Sequence, residues 1–502
     1  MSGQDDAVSA RAQVNSPAGA AAPEAPAGAA RGARTVAVLA LAEVGGKVFT
    51  LVLLMYAVRE LSPGEFGSFS YALAFGMLLA ALPTWGLDAL LVQQTGSDTS
   101  RLPGQYAQLL MLRTALALPV LLVGAGFGLA TRPSPADRFT LVALLAAAVL
   151  ESYAHAPRAV AGVLRRQSAA ALVLVGQRLL TAIAGVLALA AGMGLAGLAA
   201  VYLTVTLVGT VALFGTVARM GVRPGWGGVG RSDLALTARR SVPVGIDALL
   251  AMLLFRADSV LLGWFHGDDT VAEYAAPFRV VETVLFFTWA VSRVVYPAMA
   301  AAADPPALRR ALEHGLAVAG FVFIPFAGLA IVRGHDILAL LFGDYYAESG
   351  TSTLWWLAPT PLLFAYAYLL GNAFVAAGRS GVPMVSTLIA ATVNIVANLA
   401  LLPPLASLGA AITTTAAFLV NTVHLVVMAR RHLGGVAALS PLALPLLALL
   451  PALGIALLPV PVVPALLFAG VAYLGLWWPA ARRWQPERAA VVRSALRRRA
   501  GR

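Results

Sequence analysis

The chain is 502 residues long, 60% hydrophobic and 12% charged, about half the charged share of a soluble domain, so a water-soluble globular protein is excluded. It has no cysteine, which rules out disulfides, thiolate metal sites and cysteine nucleophiles. The formal charge of +12 rests on arginine, with Lys47 the single lysine among 35 basic residues; beside so much alanine, this is the codon bias of a GC-rich bacterial genome.

In chain order, residues 1–33 are dominated by Ala, Gly, Pro and Ser and predict a disordered cytoplasmic tail. They lack the charged start and small-residue cleavage site of a secretory signal, and the apolar run after them is long enough to remain as a membrane helix. Apolar runs punctuated by Pro, Gly and charge predict fourteen transmembrane helices. The first six lie near 35–58, 66–92, 105–129, 139–163, 169–191 and 195–218. The next six lie near 242–264, 274–299, 313–332, 353–377, 382–402 and 407–429, and two more near 438–459 and 461–480. The fold class is all-α integral membrane. An N-terminal six-helix bundle covers 34–220, a cytoplasmic linker 221–241, a C-terminal six-helix bundle 242–432, two extra helices 433–481 and a basic cytoplasmic tail 482–502.

Fourteen spans put both termini on one side, and arginine shows which. Segments assigned to the cytoplasm hold 24 basic residues, whereas the opposite side holds only Arg59, Arg132, Arg138 and Arg333. That asymmetry is a strong positive-inside signal. The basic run at Arg497, Arg498 and Arg499 reads as a topology anchor on anionic lipid rather than a nucleic-acid site.

Internal echoes divide the chain. Leu61-Ser62-Pro63-Gly64-Glu65-Phe66-Gly67-Ser68, between spans one and two, is matched in place by Gly267-Asp268-Asp269-Thr270 between spans seven and eight. Ala196-Gly197-Leu198-Ala199-Ala200 is echoed by Leu408-Gly409-Ala410-Ala411. Six spans per repeat is an even number, so the halves share one orientation and a pseudo-two-fold axis along the membrane normal, with a substrate path between them.

Leu61 through Tyr71, Asp258-Ser259-Val260-Leu261-Leu262-Gly263 leading to Tyr274 and Pro297, Asn372 with Gly378, and Asn394 with Asn398 occur in order over roughly residues 35 to 430. In this the chain resembles the polysaccharide-biosynthesis flippases of the Wzx type, in the multidrug/oligosaccharidyl-lipid/polysaccharide exporter superfamily. Ala272 departs from the Gly usual before the tyrosine, and Pro403-Pro404 stands before span twelve. The resemblance implies a multi-pass protein of the bacterial cytoplasmic (inner) membrane that flips undecaprenyl-pyrophosphate-linked sugar from the cytoplasmic to the outer leaflet by alternating access. Lipid II flippases and drug exporters are its relatives. The implied partners are the lipid-linked sugar, membrane lipids and a polysaccharide polymerase or assembly proteins, with no cofactor.

Ionisable residues inside the spans sharpen this reading. Left facing lipid at ~3 kcal/mol each, they would cost on the order of 40 kcal/mol, so they must pair, reach the surface or face water. In span eight, Arg279, Glu282, Arg293 and Pro297 share one stripe; in span four, Glu151, His155 and Arg158 do, beside Pro157. Arg256, Arg279 and Arg293, with Arg158 or Arg178 opposite, are candidates to bind pyrophosphate, because guanidinium stays charged and offers paired donors. The alternative is ion pairing between helices, as for Arg279 with Glu282. Glu43 and Lys47, four apart, form a structural pair. Asp247, Asp258 and Glu282 are candidates to carry a coupling proton or sodium ion. Helical phase puts Asp247 and Asp258 on one face of span seven and Arg256 on the other, while Arg113 and Asp88 reach for the cytoplasmic surface.

Other chemistry finds no support. Gly45-Gly46-Lys47-Val48 lacks the spacing of a phosphate loop, His266-Gly267-Asp268-Asp269 reads as a solvated turn rather than a metal site, and the outer loops are too short for a membrane glycosyltransferase or polymerase.

Overall fold

The computed structural model describes residues 45–96 and 98–484, and every regular element among them is helical. The first half comprises α1 (45–60), α2 (Pro63–Thr84), α3 (Leu87–Thr95), α4 (Leu102–Thr131), α5 (Pro135–Val163), α6 (Gln167–Ala190) and α7 (Gly194–Arg219). The second comprises α8 (Arg231–His266), α9 (Asp268–Ala300), α10 (Pro305–Val332), α11 (Gly334–Phe342), α12 (Asp344–Leu357), α13 (Thr360–Ala376) and α14 (Gly381–His432). The chain continues as α15 (Ser440–Ala456) and α16 (Val462–Trp484).

Ten helical stretches among the described residues are long and apolar enough to cross a membrane. One of them, α14, is two spans joined at Ala406, and α1, α9 and α15 complete fourteen. The result is two six-span bundles with two further helices, α15 packing on α10 and on α16. The tail over 1–33 and the end of the tail over 485–502 lie outside the described residues.

Three expectations are corrected. Span two is not continuous: α2 and α3 are separated by Trp85 and Gly86, both at positive φ (38° and 63°). The outer segment before span ten is helical rather than a loop, forming α11 and the start of α12. Pro403 and Pro404 lie inside α14, and the turn between spans eleven and twelve is the single residue Ala406 at φ 49°. Proline removes N–H donors, yet helical φ survives until the one residue that breaks it.

The two echo segments have matching local roles. Ser62 caps α2: its hydroxyl accepts from the Glu65 N–H at 3.3 Å while the Glu65 carboxylate takes the Ser62 N–H at 2.9 Å, and Pro63 occupies the first turn. This reciprocal box satisfies donors that a helix start leaves open. Gly267 (φ 82°) turns the chain into α9, whose first turn carries Asp268 and Asp269 at the positive end of the helix dipole. The two starts then meet, because a Cβ at Gly67 would lie 1.7 Å from the Asp268 carbonyl oxygen. Only a glycine permits that approach.

Between helices in lipid there is no water to expel, so close fit supplies the attraction. The largest core joins the halves at this end, called the outer end after the loops that the charge bias places there. Phe66, Phe69 and Tyr71 of α2 pack in it with Tyr274 and Phe278 of α9 and Tyr346 of α12. Because α2 lies against α5 within its own half and against α8 and α9 across the seam, it forms one wall of the space between the halves.

Candidate functional site

A cavity of about 400 Å³ lies between the halves, walled by α1, α2, α5, α6 and α7 on one side and α8 and α9 on the other. Among the described residues five basic side chains line it, Lys47, Arg178, Arg256, Arg279 and Arg293, against two acidic ones, Glu151 and Glu282, an excess of three basic groups. Tyr202, Thr206, Thr283, Phe286 and Trp289 complete much of the wall.

Glu282 organises the second-half side. Its two oxygens bind separate arginines: Arg256 Nη2 at 2.7 Å from α8, and Arg279 Nη1 at 2.6 Å one turn earlier on α9. These side chains are only 6–20% exposed. One carboxylate therefore fixes two guanidinium groups without neutralising both. Arg256 and Arg279 each keep a buried Nε–H with no protein acceptor, and a buried donor left unpaired is costly. Both side chains line the cavity, where an anion would meet their positive charge in charge-assisted bonds.

On the first-half side the contacts are looser. Glu151 lies 3.9 Å from Arg178 and 3.7 Å from Arg158, and accepts from Gln177 Nε2 at 3.3 Å. Arg178 lines the cavity; Arg158 lies outside the lining. Lys47 lines the same cavity from α1. Glu43 falls outside the described residues, and so does its pairing with Lys47.

Asp258 occupies different surroundings. It is 1% exposed and held by neutral donors: the Tyr274 hydroxyl, the Thr414 hydroxyl at 2.8 Å and the Ser259 backbone N–H at 2.9 Å. Nearby in the same half, Thr413 donates to Asn398 at 2.6 Å and Asn398 to Asn394 at 3.1 Å. Asp247, three turns earlier on α8, is exposed and lines a separate cleft. The structure thus brings Arg256, Arg279, Arg293, Arg178 and Glu282 together, and places Arg158, Asp258 and Asp247 elsewhere.

Arg113 does not reach for the surface. It is fully buried, donating to Asp88 at 2.8 Å and to the Pro83 carbonyl at 3.1 Å. The break after α2 leaves carbonyls without helical partners, and the guanidinium takes one of them. Sequence reasoning also missed Tyr202, Trp289 and the outer contact of Arg132, whose Nη1 lies 2.7 and 2.8 Å from the two Asp268 oxygens, with its guanidinium 3.8 Å over the Tyr71 ring. The one available signal was Arg132 itself, one of four basic residues in the outer loops.

Comparison with known proteins now adds to this geometry. The family model described as "Polysaccharide biosynthesis protein" matches residues 33–302, and that described as "Lipid II flippase MurJ" matches residues 271–480. Two relatives from Haloferax volcanii align over part of the chain. The probable flippase AglR is 30% identical over 174 residues, and the probable low-salt glycan biosynthesis flippase Agl15 is 24% identical over 170 residues. These alignments cover 34% and 33% of this chain and 36% of each relative, so the chain spans about a third of the length of the curated relatives it matches. Among solved structures, a lipid II flippase MurJ in an inward closed conformation superposes with a TM-score of 0.72 at 11% identity, covering 89% of this chain and 99% of that one. An inward-facing multidrug resistance transporter of the MATE family superposes with a TM-score of 0.64 at 14% identity, over 78% and 94% of the two chains. At these identities the superpositions show a shared fold.

Proposed function

The chain belongs to the polysaccharide biosynthesis protein family, and from that premise we propose that it flips a polyprenyl-pyrophosphate-linked oligosaccharide across the bilayer by alternating access at the central cavity. One observation carries this reading: Glu282 shares its two oxygens between Arg256 and Arg279 in the wall of a cavity whose described lining carries five basic and two acidic side chains. A pyrophosphate is the group that such paired, permanently charged donors suit. A cationic drug would meet repulsion in the same place, which sets the multidrug reading aside. A lipid II-type substrate carries the same anion and would use the same arginines.

The protein then acts as a transporter rather than an enzyme, in the bacterial cytoplasmic membrane with both termini inside, as the basic loops direct. Its partners are the lipid-linked sugar, the surrounding lipids and a polysaccharide polymerase or assembly proteins that receive the flipped unit. Arg293 lies in reach of the anion, with Arg178 opposite; Arg158 supports Glu151 from behind. Asp258 is the ion-coupling group in this scheme, since a carboxylate held only by neutral donors gains most from a proton or a cation. Asp247 and Glu282 are the weaker candidates, Asp247 being exposed and Glu282 already paired with two arginines.

Reconstituted flipping of undecaprenyl-pyrophosphate-linked sugar tests the reading. Arg279→Ala and Arg256→Ala should each slow flipping at least about tenfold, equivalent to ~1.4 kcal/mol, at unchanged protein levels. Wild-type rates in both variants would refute it.

A further inference from the structure

A second cavity, of about 450 Å³, opens in the second half between α8, α13 and α14. Ser380 and Gly381, where α13 gives way to α14, line it, so it lies toward the inner end, opposite the Arg132 contact. It shares no lining residue with the central cavity, and the rings of Phe255, Phe364 and Trp289 pack between the two. A group covalently joined to an anion on Arg256 and Arg279 therefore cannot reach it.

The chemistry of this cleft is the reverse of the central one. Among the described residues no basic side chain lines it, and its one charged group is Asp247, which is exposed and has no hydrogen-bond or ion-pair partner. Four rings line it too: Phe364 lies 5.2 Å from Phe255, 5.8 Å from Phe418 and 5.8 Å from Tyr368, centroid to centroid. A carboxylate without a cationic neighbour gains from a positive ligand, and the negative faces of aromatic rings attract the same sign. A hydrocarbon tail would strand the carboxylate. A phosphate, or the zwitterionic headgroup of a lipid, would bring an anion to a lining that offers it no cation. A bare inorganic ion would exchange its water for rings. The volume, within the roughly 300–1,000 Å³ of small-molecule sites, suits an organic cation with apolar substituents.

The cleft also reaches the inner seam between the halves. Helix α8 lies between α2 and α3 of the first half and α14 of the second. Pro243 and Val244 of α8 line the cleft, and the same turn makes contacts with the first half: a Cβ at Gly86 would lie 2.3 Å from Val244 Cγ1, and one at Gly245 2.4 Å from the Trp85 ring. Pro243, inside the helix, gives this turn a place to bend. The cleft is thus the space into which the turn can retreat as the inner end opens. An occupant fills that space and holds the turn against the first half.

We propose that this cleft is a regulatory site for an apolar organic cation of the quaternary ammonium or phosphonium type, held by Asp247 over the rings, and that the bound cation keeps the inner seam shut. The site stands whether or not the central cavity carries a pyrophosphate.

Tetraphenylphosphonium binding to the full chain in lipid nanodiscs tests the site, with triphenylphosphine oxide as a neutral counterpart. Asp247→Asn should weaken phosphonium binding at least about tenfold and leave the oxide unchanged, and Tyr368→Leu should weaken it about threefold. Tyr368→Phe should bind like the wild type, which separates loss of the ring from poor folding. Glu151→Gln, in the central cavity, should change nothing. For the seam, the chain has no cysteine, so Thr283→Cys puts one thiol in the central cavity. In proteoliposomes, phosphonium should slow labelling of that thiol by an impermeant maleimide from the inner side at least about threefold, and Asp247→Asn should abolish the slowing. Equal phosphonium binding by the wild type and Asp247→Asn would show partition into lipid, and loss on Glu151→Gln instead would move the cation to the central cavity. Either result overturns the proposal. So does Asp247-dependent binding of sodium in place of phosphonium, or inner-side labelling that a bound phosphonium leaves unchanged.

Discussion

The two seams where the halves meet are built differently. At the outer end, Arg132 of the first half sits against both oxygens of Asp268 of the second and over the Tyr71 ring, and Arg59 donates to the Leu340 carbonyl at 3.2 Å. Phe66 and Tyr346 meet edge to face at 5.9 Å, and backbone touches backbone at Gly67. At the inner end, Trp85 lies over Gly245, where a Cβ would be 2.4 Å from its ring, and Thr237 donates to Gln108 at 3.1 Å. Charge, ring packing and backbone contact lock the outer seam, whereas among the described residues the inner one is closed by uncharged groups, Trp85 on Gly245, Gly86 against Val244 and the Thr237–Gln108 hydrogen bond. The halves thus separate more readily at the inner end, the side from which a cytoplasmic lipid-linked sugar would load.

The absence of cysteine makes this comparison breakable. A single Thr283→Cys places a thiol in the central cavity, and an impermeant maleimide applied to one side reports which seam has opened. The largest effect belongs to Gly67→Leu. Its Cβ alone falls 1.7 Å from the Asp268 oxygen, less than half the ~3.5 Å of a normal contact, and backbone cannot swing aside as a side chain can. A destabilisation of at least about 3 kcal/mol follows, with outer-side labelling strongly raised and flipping abolished. Unchanged labelling from outside would sink the account of the outer seam.

Arg132→Ala comes next. The pair is 11% and 21% exposed, so removing the guanidinium leaves a half-desolvated carboxylate and costs about 2–3 kcal/mol. Outer labelling should rise, and the double variant Arg132→Asp with Asp268→Arg should recover part of the loss. A double variant no better than the worse single would show that the pair does not hold the seam.

What could be read in the sequence, and what could not, follows the same division between local and long-range causes. The fourteen spans were legible because bilayer thickness sets a length that apolar runs must meet, and the two halves because Ser62-Pro63 and Gly267 start equivalent helices. The break at Trp85 was not, since no local signal requires positive φ there; the indole is drawn out of helical phase by its seat on Gly245, 160 residues away. Helical phase placed Arg279 and Glu282 on one stripe, but Arg256 joining the same carboxylate depends on how α8 crosses α9. Arg113 was misread because the carbonyl it satisfies exists only where α2 is broken. The cleft lined by Asp247 left no mark as a cleft, its rings coming from three helices, Phe255 from α8, Phe364 and Tyr368 from α13 and Phe418 from α14.

The smallest effect is that of Gly245→Ala, and it discriminates most finely. The added methyl meets a side chain rather than backbone, so the indole can leave at a cost of about 1–2 kcal/mol, partly offset as Trp85 relaxes from its left-handed conformation. Inner-side labelling should rise with no change from outside, and flipping should slow a few-fold rather than stop, because the proposed alternating-access cycle would part this seam in every turnover. Trp85→Leu should reproduce the labelling, and combining the two should add little, as expected of residues in direct contact. Strictly additive effects, or a rise in labelling at the outer face alone, would mean that the indole on its glycine is not what keeps the inner end shut.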